Sequence, residues 1–365
     1  MVQTNHSTRL AAMRRSGWRA GVVLGLAVLL GALALSGDHR FPPPQRQPGP
    51  PDNAPRVVVA LGDSTMSGEG AGDYEPGTDG ENGNWCHRSS HASIHQVSIP
   101  ALDRTINLSC SGAPSAQVGL GEVEQYTEIS QSRQLAPIAA RNRVVAVVIA
   151  SGANDNPAFS HVMSACVESW VSGSTPCSRS VGPGWQDRVD AMVPKLTQAI
   201  LDVRTVMRNA GYAASEYQLV VQSYAAPVGP NVAADLQDLS GCPFRDEDLR
   251  WVEDTAVPTL TAGVRAAAQD TGARFLDLSR AGVGREACSI EDDPDAEWFR
   301  RLAVQWGDLR EQERATHALQ ESFHPNAAGH LQFGQCLSEF LLTTDRSAAC
   351  LSGADGTLHA ATSLD

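Results

Sequence analysis

Arg56-Val57-Val58-Val59-Ala60-Leu61, followed at once by Gly62-Asp63-Ser64, is the stretch on which the fold turns. A short β-rich apolar run closed by glycine reads as a buried strand delivered into a tight turn. Working outward, similar runs stand at 105–108, 143–150, 218–223 and 274–278. Longer segments with helical patterning separate them. At 185–210, Val189, Met192, Val193, Leu196, Ile200, Val203 and Met207 recur at three- and four-residue steps, and Gly211 supplies a stop. Further helices are expected at about 247–269 and 326–342. Strands alternating with helices imply a mostly parallel sheet covered on both faces. With no internal repeat and no second run of strands, residues 56–351 are expected to form one domain.

The flanks read differently. Arg9, Arg14, Arg15 and Arg19 precede a charge-free run from Ala20 to Leu35, which as a helix reaches roughly 24 Å, short of a bilayer core of about 30 Å. Residues 1–36 are therefore expected to be a secretory signal peptide or an N-terminal membrane anchor, with the chain beyond residue 36 exported in either case. Residues 37–55, with Phe41-Pro42-Pro43-Pro44 and Pro48-Gly49-Pro50-Pro51, read as an extended linker. Residues 352–365 are small and polar and are expected to be a loose tail.

Composition excludes several function classes. The 42% hydrophobic and 19% charged content rules out wholesale disorder, and a net charge of −13 suits no polyanion, so nucleic acid is not an expected partner. All eight cysteines lie beyond the apolar run, as an oxidising compartment allows. Pairing sequential neighbours closes the shortest loops, which predicts Cys86–Cys110, Cys166–Cys177, Cys242–Cys288 and Cys336–Cys350.

In open α/β sheets, ligands bind beyond the carboxyl ends of the strands. Ser64 follows the first strand, where a serine can present its hydroxyl while nearby backbone N–H groups face an approaching carbonyl oxygen. Gly112 follows the second strand in Cys110-Ser111-Gly112-Ala113, where the absence of a side chain lets a backbone N–H approach a ligand. Asn154 follows the third strand in Gly152-Ala153-Asn154-Asp155 and can aim its amide into the same crevice. His324, in Glu321-Ser322-Phe323-His324-Pro325-Asn326, precedes the last helix and can accept a serine proton near neutral pH. Singly, these residues read as a helix cap, a turn, an Asx turn and a surface histidine. In this chain order, three of them directly after separate strands, they point to a hydrolase.

On these motifs, with Ser67-Gly68-Glu69-Gly70 and Cys86-His87-Arg88-Ser89, the sequence resembles an SGNH (GDSL-type) hydrolase and is similar to the exported actinobacterial esterase and lipase branch, over most of residues 56–342. The resemblance implies a flavodoxin-like three-layer α/β/α sandwich and a serine esterase or lipase without metal or cofactor. Ser64 would be the nucleophile and His324 its base. The oxyanion would sit on the backbone N–H groups of Ser64 and Gly112 and the Asn154 side-chain amide. The family usually carries aspartate three residues before its histidine. Here that position is Glu321, and the backbone carbonyl of Ser322 is the other group open for orienting His324. We favour the carbonyl, because it needs no special side-chain reach.

Two other readings compete with the serine hydrolase. Cys86, His87, His91 and His95 offer metal ligands at helical spacing, as a metal-dependent hydrolase would need. Trp85, Trp170, Trp298 and Trp306 could present a non-catalytic glycan-binding surface. Trp298, Phe299, Leu302 and Trp306, at roughly helical spacing, could instead line an acyl pocket, with core packing the simpler reading. The expected partner is a small-molecule or lipid ester and the expected state a monomer, secreted or tethered outside the cell membrane.

Overall fold

The apolar run at 56–62 forms β1 (Arg56–Gly62), with Val57 to Leu61 entirely buried. The protein is represented by a computed structural model that describes residues 49–155, 159–308, 314 and 317–362. The other strands are β2 (Arg104–Asn107), β3 (Arg143–Ala150), β4 (Gln218–Gln222), β5 (Arg274–Asp277), β6 (Ser347–Ser352) and β7 (Leu358–Thr362), in the sheet order β2-β1-β3-β4-β5-β6-β7. All neighbours run parallel except β6 and β7. The order 2-1-3-4-5 is that of flavodoxin-like folds, and it reverses direction between β1 and β3, where such sheets open a ligand crevice.

The helices are α1 (Ser64–Ser67), α2 (Ser115–Val118), α3 (Gln131–Arg141), α4 (Phe159–Ser172), α5 (Cys177–Ser180), α6 (Trp185–Asn209), α7 (Asp246–Trp251), α8 (Val257–Thr271) and α9 (Ala327–Leu341). α6 packs against α2, α3 and α8, while α9 packs against β6, β7 and the 3-10 turn Ser93–Gln96. The result is the expected α/β/α sandwich. Its core is aliphatic: β1 and β3 meet Leu196, Ile200 and Val203 of α6 in one continuous cluster.

All four cysteine pairs form as expected from their order along the chain. The polar end of the chain departs from expectation. β7 adds an antiparallel edge strand, with Leu358 buried and its backbone N–H donating to Gln332 Oε1 at 2.9 Å. His359 also pairs with Glu339 on α9 at 2.8 Å. A five-residue edge strand needs only one anchored apolar side chain, which is too little pattern to be read from sequence. Between α4 and α6, α5 is tied back to α4 by Cys166–Cys177. Residues 1–36 lie outside the described residues, as does most of the 37–55 linker. Among the described residues no helix is long and apolar enough to cross a membrane.

Candidate active site

The turn after β1 is built on Gly62. Its φ is +151°, and a Cβ there would lie 2.0 Å from the Ala150 carbonyl oxygen, so only glycine lets the ends of β1 and β3 close together. Asp63 N–H donates to that carbonyl at 3.1 Å. Asp63 caps α1, accepting from Thr65 N–H at 3.2 Å and from the Tyr224 hydroxyl at 2.5 Å. Burial pushes its carboxyl up to about 7, although the Tyr224 bond pulls the other way. Ser64 is thereby the first residue of α1, half-buried at the sheet's carboxyl edge.

His324 Nε2 lies 2.8 Å from Ser64 Oγ. Its Nδ1 lies 3.2 Å from the Ser322 carbonyl, which can only accept, so Nδ1 carries the proton and Nε2 is left to take one from the serine. Glu321 does not serve the imidazole: Oε1 accepts from the Tyr74 hydroxyl at 2.7 Å and Oε2 from Gln305 Nε2 at 3.0 Å. Between carbonyl and imidazole, Phe323 adopts a left-handed φ of +60°, and its ring packs edge-on to Phe244. Residues 298–300 clamp this loop. Arg300 N–H donates to the His324 carbonyl at 2.8 Å, Phe323 N–H to the Arg300 carbonyl at 3.1 Å, and Asn326 N–H to the Trp298 carbonyl at 2.9 Å.

Gly112 and Asn154 come to the same edge. Among the described residues, neither Ser64 N–H nor Gly112 N–H has an acceptor within the protein. Gly112 has φ +75° beside Gln125. Asn154 Nδ2 reaches the Ala113 carbonyl at 3.5 Å, which sets its amide next to Gly112 and keeps its second N–H free.

Beneath this group is a polar network that motif spacing did not reveal. Glu69 is fully buried and accepts from His87 Nδ1 at 2.8 Å, Ser111 Oγ at 2.7 Å and Gln320 Nε2 at 2.7 Å. Burial alone would raise its carboxyl; the His87 hydrogen bond and charge, with Ser111, hold it below the ordinary carboxylate range. His87 is raised in turn, the Glu69 contact outweighing its own burial. Burial pulls the His324 imidazole below its ordinary value, against the Glu69 charge.

The other candidate groups disperse. Cys86 is bonded to Cys110, His87 faces Glu69, His91 Nε2 meets Asp73 at 2.8 Å, and His95 Nδ1 meets Thr105 Oγ1 at 2.7 Å. Only Ser93–Gln96 coils, as a 3-10 turn, so the helix face that would gather those ligands does not exist. Trp85 and Trp298 are buried, Trp85 stacked on His317, and of the four tryptophans only Trp306 is mostly exposed, at 69%. Residues 298–306 are not helical. Trp298 and Phe299 pack in the core, while Leu302 N–H donates to the Gly241 carbonyl at 2.9 Å.

A 2-1-3-4-5 sheet with Gly-Asp-Ser turning off its first strand defines the SGNH class of α/β hydrolases. The chain belongs to the GDSL-like Lipase/Acylhydrolase family, whose sequence model matches residues 60–331. It is a carboxylic ester hydrolase. A relative, Lipase 2 of Streptomyces coelicolor, is 28% identical over 285 residues, covering 76% of this chain and 83% of its own. The crystal structure of phospholipase A1 from Streptomyces albidoflavus NA297 shares the fold at TM-score 0.53 and 23% identity, over 76% of this chain and 94% of that one.

Proposed function

We propose that the protein is an exported serine esterase or lipase acting through an acyl-enzyme on Ser64. The observation that carries this reading is the 2.8 Å contact between Ser64 Oγ and His324 Nε2. His324 takes the hydroxyl proton as Oγ bonds to the ester carbonyl carbon, and the carbonyl π electrons move onto oxygen. The N–H groups of Ser64 and Gly112 and the Asn154 amide receive that oxyanion. Its collapse breaks the bond to the alcohol, which leaves with the proton held on Nε2. Water then repeats the sequence, freeing the acid and restoring Ser64. The Ser322 carbonyl keeps the tautomer that makes Nε2 the base.

The test is labelling by a fluorophosphonate. The parent chain should be labelled at Ser64 at a rate that falls steeply in His324→Ala and to nothing in Ser64→Ala. Unchanged labelling of Ser64→Ala would place the nucleophile elsewhere. A series of nitrophenyl esters, run with a phospholipid and an acetylated glycan, assigns the acyl and alcohol preferences.

Export is supported by the arginine-flanked apolar run and by the four disulfides. In this reading residues 1–36 are the leader or anchor, 37–55 the linker, and the hydrolase domain runs from residue 56 and works as a monomer. Intact mass of the protein recovered outside the cell, with light scattering, tests both points: residence in the cytoplasm or a stable dimer would overturn them.

A further inference from the structure

A second carboxylate pair lies outside the serine–histidine site. Glu286 is 1% exposed, and neither of its oxygens has a hydrogen-bond partner among the described residues. Glu253 Oε2 is likewise buried and unpartnered. The two converge on Gly229, where a Cβ would lie 2.5 Å from Glu253 Oε2 and 3.2 Å from Glu286 Oε1. A side chain here would have to push the Glu253 carboxylate aside.

Three segments build this notch. Gly229 comes from the loop after β4, Glu286 from the loop after β5, and Glu253 from the single π-helical turn Val252–Ala256 between α7 and α8. Such π turns widen a helix and are frequent at functional sites. The Glu286 loop is fixed by Ala287 N–H on the Pro227 carbonyl at 3.0 Å, by Trp298 N–H on the Arg285 carbonyl at 2.8 Å, and by Cys242–Cys288. Neither carboxylate has an ion-pair partner among the described residues. The neighbouring Arg285 turns away, donating to the Ala296 carbonyl at 3.1 Å. Burying the Glu286 carboxyl beside the buried Oε2 of half-exposed Glu253, with no side-chain donor or cation on either among the described residues, is costly. Burial pushes the Glu286 carboxyl up to about 7, the Glu253 charge adding to the shift.

We propose that Glu253 and Glu286, facing across the notch kept open by Gly229, form a calcium site that ties the π turn to the loops after β4 and β5. The donors are hard oxygens with no histidine or thiol among them. Calcium accepts irregular oxygen shells completed by water and backbone carbonyls, whereas magnesium demands a near-ideal octahedron. The site is independent of the serine chemistry.

The test is equilibrium dialysis of the chelator-treated, disulfide-bonded protein against calcium chloride, with bound calcium counted per chain. The parent should bind one ion that raises its melting temperature. Glu286→Gln, which is isosteric and uncharged, should bind at least tenfold more weakly while keeping the parent's circular dichroism and ester turnover. Gly229→Ala should lose affinity similarly, because its methyl displaces the Glu253 carboxylate, and Glu253→Gln gives the same reading should Glu286→Gln fail to fold. A parent that binds no calcium, or folded variants that bind as tightly as the parent, overturns the proposal.

Discussion

His324 Nδ1 lies 3.2 Å from the Ser322 carbonyl, two residues back along the same loop. Glu321, the nearest carboxylate in sequence, instead joins Tyr74 to Gln305. A backbone carbonyl fixes the tautomer without placing a full negative charge on the imidazole. Glu321→Gln is therefore expected to keep turnover within about tenfold of the parent, its cost being one altered hydrogen bond. Steady-state kinetics on a nitrophenyl ester decide the matter. A fall near ten-thousandfold, the cost of neutralising a triad carboxylate, would mean that Glu321 does reach the imidazole during turnover.

Asn154 Nδ2 reaches toward the Ala113 carbonyl at 3.5 Å, and the proposed mechanism gives its other N–H to the oxyanion. Removing one oxyanion donor costs about 3 kcal/mol, roughly a hundredfold in kcat. Asn154→Ala should lose that much in kcat with KM little changed and the melting temperature within a few degrees of the parent. Parent-like kcat would exclude the side chain from the oxyanion site.

The residues at strand ends were legible because a parallel sheet fixes where they go. Ser64 and Asn154 follow apolar runs that form buried strands, Gly112 lies just beyond the short edge strand β2, and His324 stands before a patterned helix. The Glu69 network was not legible, because positions 69, 87, 111 and 320 share no period and meet only through the fold. α3 is hidden in the sequence for a local reason, Pro137 inside its span, a residue that ordinarily argues against helix. Trp298, Phe299, Leu302 and Trp306 mislead in the other direction, since helical spacing arises there in a segment that is an irregular clamp.

The same network sets an expectation for pH. In the proposed mechanism the neutral imidazole is the base, and burial holds His324 below its ordinary value, so the acid limb of kcat/KM should fall below about 6.5. Glu69 pushes His324 up and His87 pushes it down. Glu69→Gln should therefore move the limb further toward acid, and His87→Gln toward neutral. Shifts in one direction for both variants would show that the pair acts on structure alone. For stability, the contribution of Glu69 is lost as pH falls through its depressed folded value, below 4.5, and that of His87 as pH rises through its raised value, above 6.5. Denaturation midpoints across pH should bracket that window.

Gly62 tests the coupling of fold to site. A methyl there meets backbone, the Ala150 carbonyl, which cannot swing aside as a side chain would. Gly62→Ala is expected to cost roughly 3 kcal/mol through overpacking and a disfavoured φ, and to shift Ser64 away from His324. Activity should fall well beyond the folded fraction. An active variant with parent-like urea midpoint would mean that the ends of β1 and β3 can part without disturbing the serine.

The disulfides should differ in worth. Loop-closure entropy grows with the length of chain enclosed, which gives about 4 kcal/mol for Cys242–Cys288 at a separation of 46 and about 3 kcal/mol for Cys166–Cys177 at 11. The longer bridge also fixes the Glu286 loop, whereas the shorter one joins α4 to α5. Replacing Cys242 and Cys288 together by alanine should lower the urea midpoint more than replacing Cys166 and Cys177, and should weaken calcium binding at Gly229 where the other pair does not. The reverse ranking would point to native packing around α5, rather than the unfolded chain, as what the bridges stabilise.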